Sequence, residues 1–206
     1  MTKHQQPRVQ RLDTGDANFY PQLADLTRWD DVRDETVEST VRQIIDAVRA
    51  RGDAALIEFT NRFDRRDLAE PAELKEQNLA RGRASIDPEL TAALEHAADR
   101  IRRYHERQKQ SSWEYEEDDG TILGQAIRPL DSVGVYVPGG KAAYPSSVLM
   151  NVIPAKVAGV QRVVMTVPAP DGHLEPVVLA AAEIAGVDTV YTVGGAQAIA
   201  ALAYGT

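Results

Sequence analysis

The stretch DSVGVYVPGGKAAYPSSVLMNVIPAKVAGV at residues 131–160 decides the fold. Residues 133–137 are apolar on both faces apart from the Tyr136 hydroxyl, a pattern typical of a central strand in a sheet covered on both sides. A proline ends this strand, and Gly139 with Gly140 allows a sharp turn because neither residue has a Cβ atom. The stretch therefore predicts a buried strand, a glycine turn and a helix in immediate succession.

The helix after the glycine turn shows an apolar pattern with one irregularity. Its apolar residues recur at helical spacing: Val148, Leu149, Val152, Ile153, Val157 and Ala158. Ser146 or Ser147 can cap its start, and Gly159 can end it. Pro154 lies inside this helix, where a proline costs roughly 3 kcal/mol or kinks the chain. One helix and two short helices, the second beginning at Pro154, are both compatible with the sequence.

The alternation of strand and helix repeats after this stretch. Residues 162–167 and 189–193 have the pattern of strands, and residues 174–185 and 196–204 have the pattern of helices. Strands that alternate with helices through short connections predict a parallel sheet with right-handed crossovers. We therefore predict an α/β fold with an incomplete Rossmann-like βαβαβα sheet over residues 131–206.

Residues 1–130 are predicted to form an N-terminal helical region with a β-hairpin. An apolar stripe over residues 37–48 predicts an amphipathic helix, and a second helix follows Gly52. A cap, a proline and an acid at residues 87–89 start a longer helix. The turn at residues 118–120 joins two predicted strands, which lead into the central stretch.

Composition and charge favour a small-molecule partner. The chain has 206 residues, 43% of them hydrophobic, and a formal net charge of −8 with a pI near 5.0. This acidic balance argues against a nucleic-acid or anionic-membrane surface, since both require a basic face. The chain contains no cysteine, no apolar segment of signal-peptide type and no apolar run that could span a bilayer. We therefore expect no membrane partner and a cytoplasmic protein.

Two double-glycine turns are the candidate ligand-binding features. No G-x-G-x-x-G follows a predicted strand, so the usual dinucleotide fingerprint is absent. Gly139 with Gly140, and Gly194 with Gly195, each follow a strand and precede a helix. In open parallel sheets, ligands bind outside the carboxyl ends of strands, where helix N-termini present free N–H groups. An ordinary connection from strand to helix is the alternative for each turn.

The histidines give no metal-site pattern. His4, His96, His105 and His173 do not cluster in the sequence. His105 and Glu106 begin like a zinc-binding H-E-x-x-H motif, but Lys109 stands where the second histidine is required. We predict no metal site in this chain.

Three long motifs resemble histidinol dehydrogenase. They are VGVYVPGG at residues 133–140, VLMNVIPAKVAGV at 148–160 and VGGAQAIAALAYGT at 193–206. The resemblance extends upstream to VRQIIDAVRARGDAALIEFTNRFD at residues 41–64. It therefore covers most of the chain, with its motifs in the order of the family.

The resemblance implies an activity, a cofactor and two cofactor-binding residues. Enzymes of this family oxidise L-histidinol to L-histidine through the aldehyde in two NAD-dependent steps of histidine biosynthesis. The tyrosine of YVPGG and the glutamine of GGAQ contact NAD in the family, and they correspond to Tyr136 and Gln197. A core tyrosine with its hydroxyl satisfied internally, and a glutamine that caps a helix, are the alternatives.

The resemblance also implies where the zinc ligands and the acid/base pair of the family lie. The family uses a zinc-bound substrate and a glutamate–histidine acid/base pair, and these residues follow the GGAQ segment. We therefore expect this chain to be an N-terminal portion with part of the cofactor site, no catalytic residue and no activity alone, and we expect a homo-oligomer. A dehydrogenase for another small amino or hydroxy alcohol is one alternative, and a non-catalytic binding module is another.

Overall fold

The computed structural model describes residues 10–27, 35–139 and 142–206. Gly140 of the first glycine turn and His4 lie outside these residues. The chain divides into two compact units, Met1–Thr40 and Val41–Thr206. The predicted division near residue 130 stays a prediction.

The described helices and strands follow the predicted order, except for a short helix at residues 80–84 that the sequence did not predict. The described helices are α1 (Phe19–Thr27), α2 (Glu35–Arg51), α3 (Asp53–Asp64), α4 (Ala80–Ala84), α5 (Pro88–Glu106), α6 (Pro145–Ala158), α7 (Pro176–Ala185) and α8 (Gly195–Tyr204). The described strands are β1 (Trp113–Glu116), β2 (Ile122–Gln125), β3 (Ser132–Tyr136), β4 (Arg162–Thr166) and β5 (Thr189–Tyr191). Short 3-10 turns lie at Pro71–Leu74 and Pro170–Gly172.

The three strands of the second half form a parallel sheet in the order β3-β4-β5. The register aligns Tyr136, Thr166 and Tyr191 in one row across the sheet. Val135 and Met165 share a buried core with α6 and α7 on one face of the sheet. The predicted α/β fold with an incomplete Rossmann-like sheet is confirmed.

The expectation that β3 is a central strand is wrong. In the described sheet β4 is central and β3 lies at the edge. The two faces of β3 are also unequally covered: Val135 is buried in the core under the helices, whereas Gly134 is exposed on the other face. Gly134 and Tyr136 look apolar in the sequence, but their face of the strand is only partly covered.

Helix α6 is continuous through Pro154, so the alternative of two short helices is not observed. The helix begins at Pro145, before both candidate serine caps, because a proline suits the first helical position, where its missing N–H costs nothing. Val148 and Ile153 on this helix are at most 1% exposed. Burial of this apolar face stabilises the helix and offsets the hydrogen bond that Pro154 cannot donate. Gly159 ends the helix with φ 98°, as predicted.

The N-terminal predictions hold for the long helix and the hairpin. The Asp87 carboxylate accepts a hydrogen bond of 2.7 Å from the backbone N–H of Glu89 at the start of α5. Leu94 and Ala98 of α5 join the core of the sheet. Strands β1 and β2 pair antiparallel, and all their residues are exposed.

Helix α4 packs directly on α7 through Gly82. A Cβ atom on Gly82 would lie 2.4 Å from Cβ of Leu179 and 2.5 Å from the backbone nitrogen of Ala180. Leu179 and Ala180 are buried in the core under the sheet. The two helix backbones can therefore approach only because this position has no side chain.

We predict that Gly82→Ala destabilises the fold by about 1–3 kcal/mol, the usual cost of forcing an extra methyl group into a packed core. The added Cβ would meet backbone atoms of α7, which cannot move aside as a flexible side chain does. Thermal or urea unfolding measures the change. Ala84→Ser on the exposed side of the same helix is the control, and equal stability of the two variants would contradict this packing.

Candidate functional site

The two glycine turns meet at Pro168 in the loop after β4. A Cβ atom on Gly139 would lie 2.9 Å from Cγ of Pro168, and one on Gly194 would lie 2.4 Å from its Cβ. The loops after β3, β4 and β5 therefore converge at one edge of the sheet, formed by the carboxyl ends of the three strands. This is the edge where open parallel sheets bind ligands.

Tyr136 and Gln197 lie at this same edge, as their positions in the sequence predict. The Tyr136 hydroxyl at the end of β3 accepts a long hydrogen bond of 3.4 Å from the backbone N–H of Gly195. Gly195 is in the left-handed region with φ 65°, and it begins α8. Tyr136 is half-buried, and its side chain packs against a core cluster that includes Leu56 and Val193.

Gln197 is a buried amide with an unsatisfied oxygen. Its side chain is only 1% exposed, and Oε1 has no hydrogen-bond partner among the described residues. The same oxygen lies 2.6 Å from the place where a Cβ on Gly195 would stand, so the amide folds back over the glycine turn. The start of α8 has no side-chain cap hydrogen bond, so a capping role for Gln197 is not observed. An unpaired buried acceptor costs about 1–3 kcal/mol.

A cavity of about 430 Å³ opens beside Pro168 at the carboxyl ends of β3 and β4. Its walls include Gly139 from the loop after β3, Asp171 and His173 from the loop after β4, and Arg65 from the end of α3. A cavity of this size is within the range of small-molecule and cofactor sites.

The end of α3 holds the loops of this edge in place. The Arg65 guanidinium forms a two-pronged ion pair with the Asp171 carboxylate, and its Nε–Oδ1 distance is 2.9 Å. The Arg66 guanidinium donates to the backbone oxygen of Thr192 at 2.9 Å and to its hydroxyl at 2.8 Å. Arg65 therefore anchors the loop after β4, and Arg66 anchors the residue that follows β5.

Arg65 and Asp171 both adopt a conformation that is unusual for residues with side chains. Their φ angles are 53° and 55°, in the left-handed region. Such backbone strain persists only where surrounding contacts determine it, and it concentrates at ligand sites. The hydrogen bond from Arg65 lowers the pKa of Asp171, so this carboxylate stays ionised at neutral pH.

Asp64 is a buried carboxylate that sequence patterns did not single out. It is 8% exposed, and its Oδ2 has no hydrogen-bond partner among the described residues. Burial raises the pKa of Asp64, whereas the backbone N–H of Ala169 and the nearby Arg66 and Arg65 act in the opposite direction. In the sequence, Asp64 is only an acidic residue at the end of a helix. Its burial comes from the loop after β4, which is distant in the chain, so no local pattern indicates it.

A second cavity, of about 550 Å³, lies on the other face of the sheet. Gly134, Val164, Thr166 and Tyr191 line its floor, and the turn Pro71–Leu74 borders it. Thr166 is 2% exposed, and its hydroxyl oxygen has no hydrogen-bond partner within the described part of the chain. Sequence analysis missed this cavity because its walls come from segments far apart in the chain.

Neither a metal-ligand group nor a membrane helix is found in the described ranges. Within residues 10–27, 35–139 and 142–206, no three histidine, aspartate or glutamate side chains are grouped so that they could hold a metal ion. Over the same ranges, no helix has the length and apolar character that crossing a bilayer requires.

The fold and this edge define a protein of the open parallel α/β class with a candidate ligand site at the carboxyl ends of its strands. A family profile described as histidinol dehydrogenase matches residues 27–206. The chain therefore belongs to the histidinol dehydrogenase family.

Individual relatives support the same conclusion. Histidinol dehydrogenase of Pseudomonas syringae pv. syringae strain B728a is 58% identical over 200 residues, which are 96% of this chain and 45% of that protein. The enzyme of Methylococcus capsulatus strain Bath is 56% identical over 201 residues, covering 97% of this chain and 46% of that protein. The chain thus spans about half the length of these curated relatives.

A solved structure agrees with the fold. The crystal structure of histidinol dehydrogenase from Elizabethkingia anophelis matches with a TM-score of 0.76 and 31% identity. The match covers 82% of this chain and 39% of that one.

We predict that Asp64→Asn stabilises the fold at pH 7. In a chain of this size, each kcal/mol of added stability raises the midpoint temperature of unfolding by about 2–4 °C. Asparagine still accepts from the Ala169 N–H but removes the buried charge. A raised pKa means that wild-type stability falls as pH rises from the ordinary pKa of an aspartate to that of Asp64.

The gain should therefore shrink as the pH is lowered toward about 4, the ordinary pKa of an aspartate. Thermal unfolding of both proteins between pH 4 and pH 8 measures this dependence. A pH-independent difference would show that the ionisation of Asp64 does not cause it, and a loss of stability at pH 7 would show that the charge is favourable.

Proposed function

We propose that this chain forms part of the NAD site of a histidinol dehydrogenase, which oxidises L-histidinol to L-histidine through the aldehyde in histidine biosynthesis. Membership of the family supports the activity. One observation carries the cofactor site: the buried Gln197 amide with its unpaired oxygen, at the edge where both glycine turns meet Pro168. A buried polar group without a partner is expensive, so its presence at this edge favours a role toward a ligand.

The residues of this edge fit a dinucleotide. When bound, NAD supplies the acceptor for a hydride from the substrate. Gln197 offers its unpaired oxygen to an N–H or hydroxyl of the cofactor. The half-buried Tyr136 offers a ring face, and its hydroxyl bridges to the start of α8. Gly139 lines the 430 Å³ cavity and Gly195 is exposed, so a phosphate or sugar can approach the backbone at these two positions.

The remaining parts of the reaction are proposed to lie outside this chain. The resemblance assigns the zinc ligands and the glutamate–histidine acid/base pair to residues after the GGAQ segment. We propose that the complete enzyme is a cytoplasmic homo-oligomer that takes zinc, NAD and L-histidinol. Another small amino or hydroxy alcohol remains the alternative substrate, since this chain carries the cofactor edge rather than the substrate-selecting residues.

We predict that Gln197→Leu lowers the affinity for NAD by about tenfold without lowering stability. The loss is about the free energy of one hydrogen bond. Leucine removes an amide whose oxygen has no partner among the described residues, so the folded state keeps or gains stability. Tyr136→Phe should weaken NAD binding several-fold, because it also removes a hydrogen-bonding group. Calorimetric titration with NAD and thermal unfolding, performed on the same samples, separate the two effects.

Gln161→Leu is the matched control for this prediction. Gln161 is exposed and precedes β4 at the opposite end of the sheet, so NAD affinity should not change. Equal affinities of the Gln161 and Gln197 variants would overturn the proposed cofactor role. A large loss of stability in Gln197→Leu would favour a structural role.

We also predict that the 206-residue chain produces no NADH from L-histidinol, with or without added zinc. The proposed acid/base pair and zinc ligands lie outside it. Absorbance at the NADH band measures turnover, with a full-length family enzyme as the positive control. Zinc-dependent turnover by the purified chain would show that this chain contains the catalytic groups.

A further inference from the structure

We propose that the 550 Å³ cavity on the second face of the parallel sheet is a further ligand site, which takes a small carboxylate with an aromatic body and a polar atom at its far end. Among the described residues, none lines both this cavity and the 430 Å³ cavity beside Pro168. The inference therefore goes beyond the proposed function and does not depend on NAD binding.

Much of the cavity wall is apolar. Gly134 and Val164 form part of its floor. Side chains from three other segments complete the wall: Leu56 of α3, Leu74 of the short 3-10 turn and Leu202 of α8. A Cβ atom on Gly134 would lie 2.8 Å from Cδ1 of Leu202, so the glycine keeps space open between the sheet and α8. The volume is within the range of small-molecule sites, and an aromatic ring suits such walls.

The inner end of the cavity carries a buried hydroxyl without a partner. Thr166 is 2% exposed, and within the described ranges its Oγ1 atom has no hydrogen-bond partner. The other polar side chains of the lining are exposed or half-buried, so Thr166 marks its deepest polar point. An unmet buried hydroxyl costs about 1–3 kcal/mol, and a change of rotamer about the Cα–Cβ bond can present it to the cavity. A ligand hydroxyl at this place would supply the missing hydrogen bond.

The exposed mouth of the cavity is basic. Arg162 lies on the same face of β4 as Thr166, four residues earlier, so their Cα atoms are about 13 Å apart at a rise of about 3.3 Å per residue. Lys75, which pairs beside β5, also lines the cavity. Asp53 is the only carboxylate among the described lining residues, against these two cations. In a protein with a formal net charge of −8, this local excess of positive charge favours an anionic group at the mouth.

These three features define the ligand class. A carboxylate at the mouth would meet Arg162 and Lys75, an aromatic ring would lie between the sheet and α8, and a hydroxyl would reach Thr166. The compound 4-hydroxyphenylacetate carries all three groups in line. Phenylacetate lacks the far hydroxyl, and 4-hydroxyphenylethanol lacks the carboxylate. The three compounds therefore probe the two ends of the cavity separately.

The first test compares the three compounds on the wild-type 206-residue chain. Calorimetric titration at millimolar concentrations measures the affinity for each compound. We expect 4-hydroxyphenylacetate to bind about fivefold more tightly than phenylacetate, the effect of one neutral hydrogen bond. It should bind at least about tenfold more tightly than 4-hydroxyphenylethanol, because charge-assisted hydrogen bonds are stronger. Since these comparisons need no substitution, they decide the matter even if a variant does not fold.

Variants then locate the probe in the cavity. Thr166→Val keeps the shape of the side chain and should remove the preference for 4-hydroxyphenylacetate over phenylacetate. Arg162→Gln should reduce the preference for the carboxylate several-fold, whereas Arg103→Gln, an equal charge change on the exposed side of α5, should not. Gly134→Ala places a methyl group where Leu202 now lies, which narrows the cavity and should weaken the binding of all three compounds. Thermal unfolding of each variant confirms that it is folded.

The outcomes distinguish this cavity from the carboxyl edge of the sheet. Gln197 does not line the cavity, so Gln197→Leu should leave the affinity for 4-hydroxyphenylacetate unchanged. A loss of affinity in Gln197→Leu as large as that in Thr166→Val would overturn the inference. Equal affinities of the wild-type chain for the three compounds, or no binding of any of them, would overturn it as well. A failure of NAD to bind would overturn the proposed function and leave this inference intact.

Discussion

The attachment of the end of α3 to the loops after β4 and β5 is the constraint on which the candidate site depends. Asp64, Arg65 and Arg66 are consecutive, yet they bind the Ala169 N–H, the Asp171 carboxylate and Thr192. Parallel strands alone bring loop beginnings to one edge, but they do not fix the path of each loop. The three contacts do so, since one helix end holds two loops at once.

The absence of Cβ atoms allows the loops to close against each other. Gly139 and Gly194 both contact Pro168, and any side chain at either position would overlap its ring. Gly139 and Gly194 therefore have a packing role at this edge.

Buried polar atoms without a hydrogen-bond partner concentrate toward the carboxyl edge of the parallel sheet. Among the described residues, buried side-chain oxygens without a partner belong to Asp64, Thr166, Gln197 and Glu183. Thr166 ends β4, Gln197 opens α8, and Asp64 borders the loop after β4, so three of the four lie toward the same edge. The core under α6 and α7, in contrast, consists of apolar side chains. A fold that buries apolar surface efficiently but leaves polar atoms unpaired at one edge has the character of a ligand site.

The sequence by itself determined the order and type of the elements, because apolar spacing and glycine, proline and aspartate signals are local. It located the long helix at Asp87, the parallel sheet and both glycine turns, and its motifs indicated the family that the comparisons confirmed. Only the tertiary structure decided that β3 is an edge strand, that α6 continues through Pro154, and that Gly82 meets α7. It alone joined Arg65 to Asp171, residues 106 positions apart, and buried the oxygen of Gln197. The physical reason is the same in each case: burial, strand order and ion pairing depend on neighbours that are distant in the chain, and no local pattern encodes them.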